Sequence, residues 1–296
     1  MTQRLLIIKH GAFGDLIQAM GVLQDVRQHF AHAHLTLLTA PAYRSLLEAC
    51  PYIDAVLTDA RLPWWQWRAQ AQLGQRLAQG RFDTVIDLQN SDRSRSYRWR
   101  WLRHTHWIGR AMAEPPPPSG LVGLQQLLAR HAIPTPHVSQ PDLRWLVAAH
   151  RVSEWLPQAP YVVLIPGASR QHPQKRWPYY AALAAQIATA GWRPVVVLGP
   201  DEQSLHAHFD CLCLSQLDWC QLATLLSHAL AVVGNDTGPS HLAAHLGARG
   251  FALFGPTSAQ RAQMETANFS TWQVEHLPSL TVERVWQRLR ADLVAA

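Results

Sequence analysis

A chain of 296 residues, 48% of them hydrophobic, can bury enough apolar surface for two domains, which excludes disorder as its default state. Its apolar runs are short and bounded by Gly, Pro or charge, so none reaches the roughly 20 residues of a membrane span. The formal charge of +6 is lopsided: 16 basic residues face 10 acidic ones before Arg151, and 10 face 10 from there on, which points to an acidic partner for the first half.

The chain opens on a strand-like run, Leu5 to Ile8, without the charged and apolar regions of a signal peptide, and the expected location is cytoplasmic. Strand and helix patterns then alternate. The strand ending at Lys9 is followed by a helix from about Asp15 to Phe30, a strand Leu35 to Thr39 and a helix after Pro41. Next come a strand Ala55 to Leu57, a Trp-bearing helix around Trp64 to Ala78, and a strand Thr84 to Leu88. Pro115 to Pro118, then Pro134, Pro136 and Pro141, read as loops approaching a domain boundary near residue 150. A second alternation runs through strands at Tyr161 to Ile165, Pro194 to Leu198, Leu230 to Val233 and Phe251 to Phe254. Its helices follow Pro178, span about Gln216 to His228, follow Gly238, and close the chain at Val282 to Val294. This pattern predicts an α/β fold of two doubly wound, Rossmann-like domains, residues 1–150 and 151–296, facing across a cleft. The last helix is expected to pack back on the first domain.

Cys211, Cys213 and Cys220 lie near His206 and His208, ligand types that could hold zinc, but the spacing matches no usual zinc signature. Cys211 and Cys213 also alternate with Leu212 and Leu214 as they would along a buried strand.

Three motifs carry chemistry. The first is His10, Gly11, Ala12, Phe13, Gly14, Asp15, a Gly-bearing turn between strand and helix where backbone can approach a ligand. No third Gly follows at dinucleotide spacing, and the second strand ends Leu38, Thr39, Ala40 without an acid for a ribose, which disfavours an NAD enzyme. Asp15 could take a proton from a substrate hydroxyl, or could serve only as a helix cap. The second motif is Pro166, Gly167, Ala168, Ser169, followed by Lys175, Arg176, Trp177 and Pro178, with cations placed just before a helix start. The third runs Val232, Val233, Gly234, Asn235, Asp236, Thr237, Gly238, Pro239, Ser240, His241. A buried strand enters a tight turn there, Thr237 or Asp236 can cap, Pro239 suits a first helical position, and the amides of Gly238, Ser240 and His241 could cradle phosphate.

Between residues 92 and 110, six arginines, Arg93, Arg95, Arg98, Arg100, Arg103 and Arg110, face one acid, Asp92. The spacing of Arg95, Arg98, Arg100 and Arg103 would set several on one helical face with Tyr97 and Trp99 interleaved. Such a face is either solvated or meets an anion. Arginine with aromatics also suits single-stranded nucleic acid, but no recognised nucleic-acid module accompanies it.

Together these segments resemble the lipopolysaccharide heptosyltransferases, glycosyltransferase family 9, from Leu5 to about Phe254, including Cys50, Pro51, Tyr52, Ile53, Asp54. The resemblance implies the GT-B architecture, with an acceptor-binding first domain and a nucleotide-sugar-binding second domain. It implies an inverting transferase with Asp15 as general base and Lys175 on the donor diphosphate. Donor binding would fall to Gly14, Ser169, Lys175, Glu202, Asp236, Thr237, Gly238, Pro239 and His241. The donor would be a nucleotide sugar such as ADP-heptose and the acceptor an anionic glycolipid, met by Lys9, Arg95, Arg98 and Arg103 with peripheral contact at the inner membrane and no nucleic acid. No Asp-x-Asp triplet is present, so the expectation is a metal-independent reaction without cofactor. Two alternatives stay open: a nucleotide-sugar epimerase of the same architecture, and a non-catalytic sugar-nucleotide-binding protein.

Overall fold

The computed structural model describes residues 2–110, 120–147, 155–169 and 172–294; the Pro115 to Pro118 run and the boundary expected near 150 lie outside the described residues. The chain divides into two compact units, Met1–Trp145 and Leu146–Ala296.

The first unit runs β1 (Arg4–Ile8), α1 (Phe13–His29), β2 (His34–Thr39), α2 (Arg44–Glu48), β3 (Ala55–Thr58), α3 (Trp67–Gln79), β4 (Thr84–Asp87), α4 (Asp92–Arg100), β5 (His106–Ile108) and α5 (Leu121–Ala129). Its strands pair in parallel in the order β3-β2-β1-β4-β5. Leu5 to Ile8 are wholly buried, which is why β1 reads as an unbroken apolar run: a central parallel strand is covered on both faces. In α3, Leu73 and Leu77 stand one turn apart and enter a core with Phe82, Val85 and Tyr97, each such burial contributing about 1.5–3 kcal/mol.

Two expectations for this unit need correcting. The arginine run is not one helical face: α4 ends at Arg100 because the chain must turn at Trp101 to bring β5 beside β4, which leaves Arg103 in the turn and Arg110 beyond the strand. The Pro134, Pro136 and Pro141 cluster is loop as read, but the stretch before residue 145 as a whole contributes to the core, contrary to its reading as loop alone. It holds α5, whose Leu121, Leu124, Leu127 and Leu128 are buried, and a strap that buries Ile133, Val138 and Leu143. The strap is tied to α1, where Asp25 accepts from the His137 amide at 3.1 Å and Gln24 accepts from the Asp142 amide at 3.1 Å.

The second unit runs β6 (Tyr161–Ile165), α6 (Tyr180–Thr189), β7 (Arg193–Leu198), β8 (Leu212–Ser215), α7 (Trp219–Ser227), β9 (Ala231–Asn235), α8 (Gly238–His245), β10 (Gly250–Phe254), α9 (Ala259–Ala262), β11 (Phe269–Gln273) and α10 (Val282–Val294). Its parallel sheet has the order β11-β10-β9-β6-β7-β8. Pro178 sits before α6 rather than in its first turn, since the helix begins at Tyr180. The strand carrying Cys213 is a sheet edge rather than a buried strand, with Leu212 43% exposed. Among the described residues, no three His, Cys, Asp or Glu converge in a way that could hold a metal ion. The closing helix α10, expected to pack back on the first unit, uses its apolar stripe within the second, where Val285, Leu289 and Leu293 join the core beside Trp177, Tyr180 and Phe251.

Each sheet reverses its winding once, between β1 and β4 in the first unit and between β6 and β9 in the second. Such reversals leave a crevice at the carboxyl ends of the strands. All three sequence motifs fall there.

Candidate active site

In the first unit, the site is assembled outward from a buried carboxylate. Asp87 ends β4 opposite Ile8 of β1 and is wholly buried. Its Oδ1 accepts from the Gln89 and Asn90 amides at 3.1 and 2.9 Å, and its Oδ2 accepts from Ser94 Oγ at 2.8 Å. Burial pushes the carboxyl up to about 6 despite these hydrogen bonds. The turn so fixed presents Gln89, whose Oε1 accepts from the amides of His10 and Gly11 at 2.9 and 3.2 Å. Gly11 has φ +69, a left-handed conformation that favours glycine. The chain then enters α1, with Gly14 buried and Asp15 exposed in the first turn.

Both readings of Asp15 have geometry behind them. Its Oδ2 accepts weakly from the Ala12 amide at 3.4 Å, as a first-turn capping residue does, while its exposure leaves the carboxylate open to a substrate. Lys9, expected to meet an acceptor, is buried instead. Burial lowers its ammonium pKa, opposed by the charges of Asp15 and Asp87, so it bears on the site through those two carboxylates.

A second buried carboxylate, Asp59, was not singled out in the sequence. It accepts from Arg93 Nε at 2.9 Å, from the Tyr97 hydroxyl and from the Arg61 amide at 2.7 Å. Burial raises its pKa, but these hydrogen bonds outweigh burial and hold the carboxyl below its ordinary range. His10 Nε2 lies 3.7 Å away, and burial pushes the imidazole down to about 4 although Asp59 opposes the shift. His10 is therefore neutral at neutral pH. Of the arginines expected to meet an acceptor, Arg95 pairs with Asp92, Arg98 lies over the rings of Trp99 and Trp107 at 5.5 and 6.0 Å, and Arg103 donates to the Trp99 carbonyl.

In the second unit, Asn235 organises the loops. Its Nδ2 donates to the carbonyls of Pro166 and Gly167 at 2.9 and 3.0 Å, and its Oδ1 accepts from the Trp177 amide and the Tyr180 hydroxyl, both at 3.2 Å. One wholly buried amide thus ties the end of β9 to the loop after β6 and to the segment carrying Lys175. Lys175, in a 3-10 turn spanning Pro173–Lys175, donates from Nζ to Asp236 Oδ2 at 2.7 Å. The same oxygen accepts from Thr257 Oγ1 at 2.7 Å, and His241 Nε2 lies 3.9 Å from Asp236 Oδ1.

Helix α8 begins directly after this pair, with Thr237 at its N-cap. The Thr237 side chain makes no capping hydrogen bond; its Oγ1 lies 3.3 Å from Ser240 Oγ, and Gly234 leaves the room that Ser240 fills. Pro239 falls at the second helical position and has no N–H. The His241 amide donates to the Thr237 carbonyl at 3.1 Å, so the expected three-amide cradle reduces to Gly238 and Ser240. Glu202 Oε2 accepts from the Gly199 amide at 2.8 Å, and its carboxylate fills the space where a Cβ on Gly167 would sit. Ser169 is exposed beside these loops.

A cation fixed beside a helix start is chemistry for a diphosphate, and an exposed carboxylate in a Gly-bearing turn is chemistry for a hydroxyl proton. Two doubly wound parallel units bearing such loops define an α/β protein of the GT-B glycosyltransferase type. The chain belongs to glycosyltransferase family 9 (heptosyltransferase), whose model matches residues 70–285 and so extends past Phe254, where the sequence motifs end. It is similar to lipopolysaccharide heptosyltransferase 1 of Pseudomonas aeruginosa, 25% identical with 86% of this chain and 79% of the relative covered. It is equally similar to lipopolysaccharide heptosyltransferase 2 of Escherichia coli, 25% identical over 86% and 83%. The solved structure of E. coli ADP-heptose lipopolysaccharide heptosyltransferase II shares the fold, with TM-score 0.79, 20% identity and 99% of each chain covered. The protein is a glycosyltransferase.

Proposed function

We propose that this glycosyltransferase moves a heptose from ADP-heptose onto an anionic lipopolysaccharide-core acceptor by inverting displacement, without a metal ion or cofactor. The observation that carries the reading is the Lys175 ammonium, held at 2.7 Å in an ion pair with Asp236 at the start of α8, a positioned cationic donor that a departing diphosphate can share with that carboxylate beside the Gly238 and Ser240 amides. Its relatives are named for heptose transfer to lipopolysaccharide, which supplies the sugar and the acceptor class. Asp15 accepts the acceptor proton as the hydroxyl attacks the anomeric carbon; the bond to the diphosphate breaks and ADP leaves. Gly14 and the Gly11 turn hold Asp15. Lys175, Ser169, Asp236, Thr237, Gly238, Pro239 and His241 surround the phosphates, while Glu202 lies on the nucleoside side.

Acceptor recognition falls to Arg98 and Arg103 more than to Arg95, which already has Asp92 as partner. Their charge suits phosphates and acidic sugars, and supports a peripheral position on the inner face of the inner membrane. Incubation with ADP-heptose and a heptose-free core acceptor tests the whole reading: ADP and a heptosylated product should appear together. Conversion of the sugar without acceptor would mark an epimerase, and binding without turnover a carrier.

A further inference from the structure

The surface beside the arginine helix carries more than charge. Trp65 and Trp67, ahead of and at the start of α3, and Trp99 on α4 are 79%, 68% and 54% exposed, and Leu62, three residues before Trp65, is also exposed. Bulky indoles left in water on a soluble face mark an interaction surface. They do not hang on a loose loop. Arg93 Nη1 and Gln70 Nε2 both donate to the Leu62 carbonyl at 2.9 Å. Trp64 is packed under the guanidinium groups of Arg93 and Arg100 at 4.6 and 4.1 Å. Trp64 thereby docks residues 62–67 on α4 and leaves Trp65 and Trp67 turned outward.

The charge at this place says what the indoles meet. Residues 61–68 and 92–103 hold seven arginines and one acid, a net +6 equal to that of the whole chain. Arg93 is neutralised by Asp59 and Arg95 by Asp92, while Arg68, Arg98, Arg100 and Arg103 have no acidic partner among the described residues. Arg68 lies over Trp67 at 5.1 Å and Arg98 over Trp99 at 5.5 Å, so one face of each ring is already covered by a cation. That arrangement hinders stacking of a nucleic-acid base. It suits an indole entering the headgroup layer of an anionic bilayer edge-first, with its guanidinium beside a lipid phosphate.

We propose that Trp65, Trp67 and Trp99, with Arg68, Arg98 and Arg103, form an interfacial anchor that inserts into anionic lipid, an inference that rests on the membrane reading above and assigns it a non-electrostatic half. The test uses the whole protein with vesicles of phosphatidylethanolamine alone or mixed with phosphatidylglycerol, at low and high salt. The parent should bind the mixed vesicles, retain part of that binding at high salt, and show tryptophan quenching by brominated lipid. A Trp65→Ser, Trp67→Ser, Trp99→Ser variant should lose roughly tenfold or more at both salts and lose the quenching. An Arg98→Gln, Arg103→Gln variant should lose roughly tenfold or more at low salt only. Protection of each variant by ADP against thermal unfolding reports that it is folded. Equal binding by parent and tryptophan variant, or no quenching, overturns the anchor and leaves electrostatic adsorption standing. No binding by the parent to any vesicle overturns both, and tryptophan-dependent binding to a single-stranded oligonucleotide in its place assigns the surface to nucleic acid.

Discussion

Lys175 Nζ donates to Asp236 Oδ2 at 2.7 Å, joining side chains 61 residues apart in sequence at the start of α8. The pair is only partly buried, so the ammonium is held without being sealed, and Thr257 steadies the carboxylate from the other side. Lys175→Ala should weaken ADP and ADP-heptose alike, by roughly 10- to 100-fold, the scale of one charged hydrogen bond. Isothermal titration with ADP alone checks this, and unchanged affinity would take Lys175 out of the site. If Lys175 and the amides at the start of α8 meet the diphosphate as proposed, chelator should leave turnover unchanged; activity lost to chelator and restored by a divalent ion would give that role to a metal.

Asp15→Asn separates the two readings of the first-turn carboxylate. Asparagine keeps an oxygen to accept from the Ala12 amide, so the helix start survives, but it cannot take the acceptor proton. Turnover should fall roughly 100-fold or more with ADP affinity nearly intact. Near-normal turnover would leave Asp15 as a cap.

Asp87 gives a pH signature. A buried carboxyl raised to about 6 holds its proton more tightly folded than unfolded, so the stability it contributes is present below the unfolded value and is lost as pH rises through about 6. Asp87→Asn removes that dependence. In urea titrations from about pH 4 to about pH 7, the parent should lose stability relative to the variant as pH rises. Parallel curves would mean that Asp87 ionises freely in the fold.

Gly21 of α1 packs so closely on the strap that an added Cβ would land on the His137 carbonyl oxygen. Backbone cannot swing aside as a side-chain tip can. Gly21→Ala should cost about 1–3 kcal/mol, read as a lowered denaturation midpoint at unchanged slope.

The strand-turn-helix motifs were legible because their signals are local. The apolar run into Asn235, the cap position of Thr237 and the early Pro239 are all read within ten residues, and the structure puts β9 and α8 there. What escaped depended on distant chain. Asp59 and Asp87 look like ordinary acids until Arg93, Tyr97 and Ser94 arrive to satisfy them. The arginine run misled because helical spacing continues on paper past Arg100, whereas sheet pairing of β5 ends α4 there. Asn235 stood inside the most specific motif, yet its part as a four-contact clamp could not be read without Pro166, Trp177 and Tyr180 beside it.

The Glu202 carboxylate lies where a side chain on Gly167 would be, while holding the Gly199 amide. Positions 167 and 202 therefore share one volume, and neither can be redesigned alone. Any residue larger than glycine at 167 evicts the acid, so Gly167→Ala and Glu202→Ala should impair nucleotide binding to a similar degree and do little more when combined. A library meant to change nucleotide choice would have to vary the two as a unit.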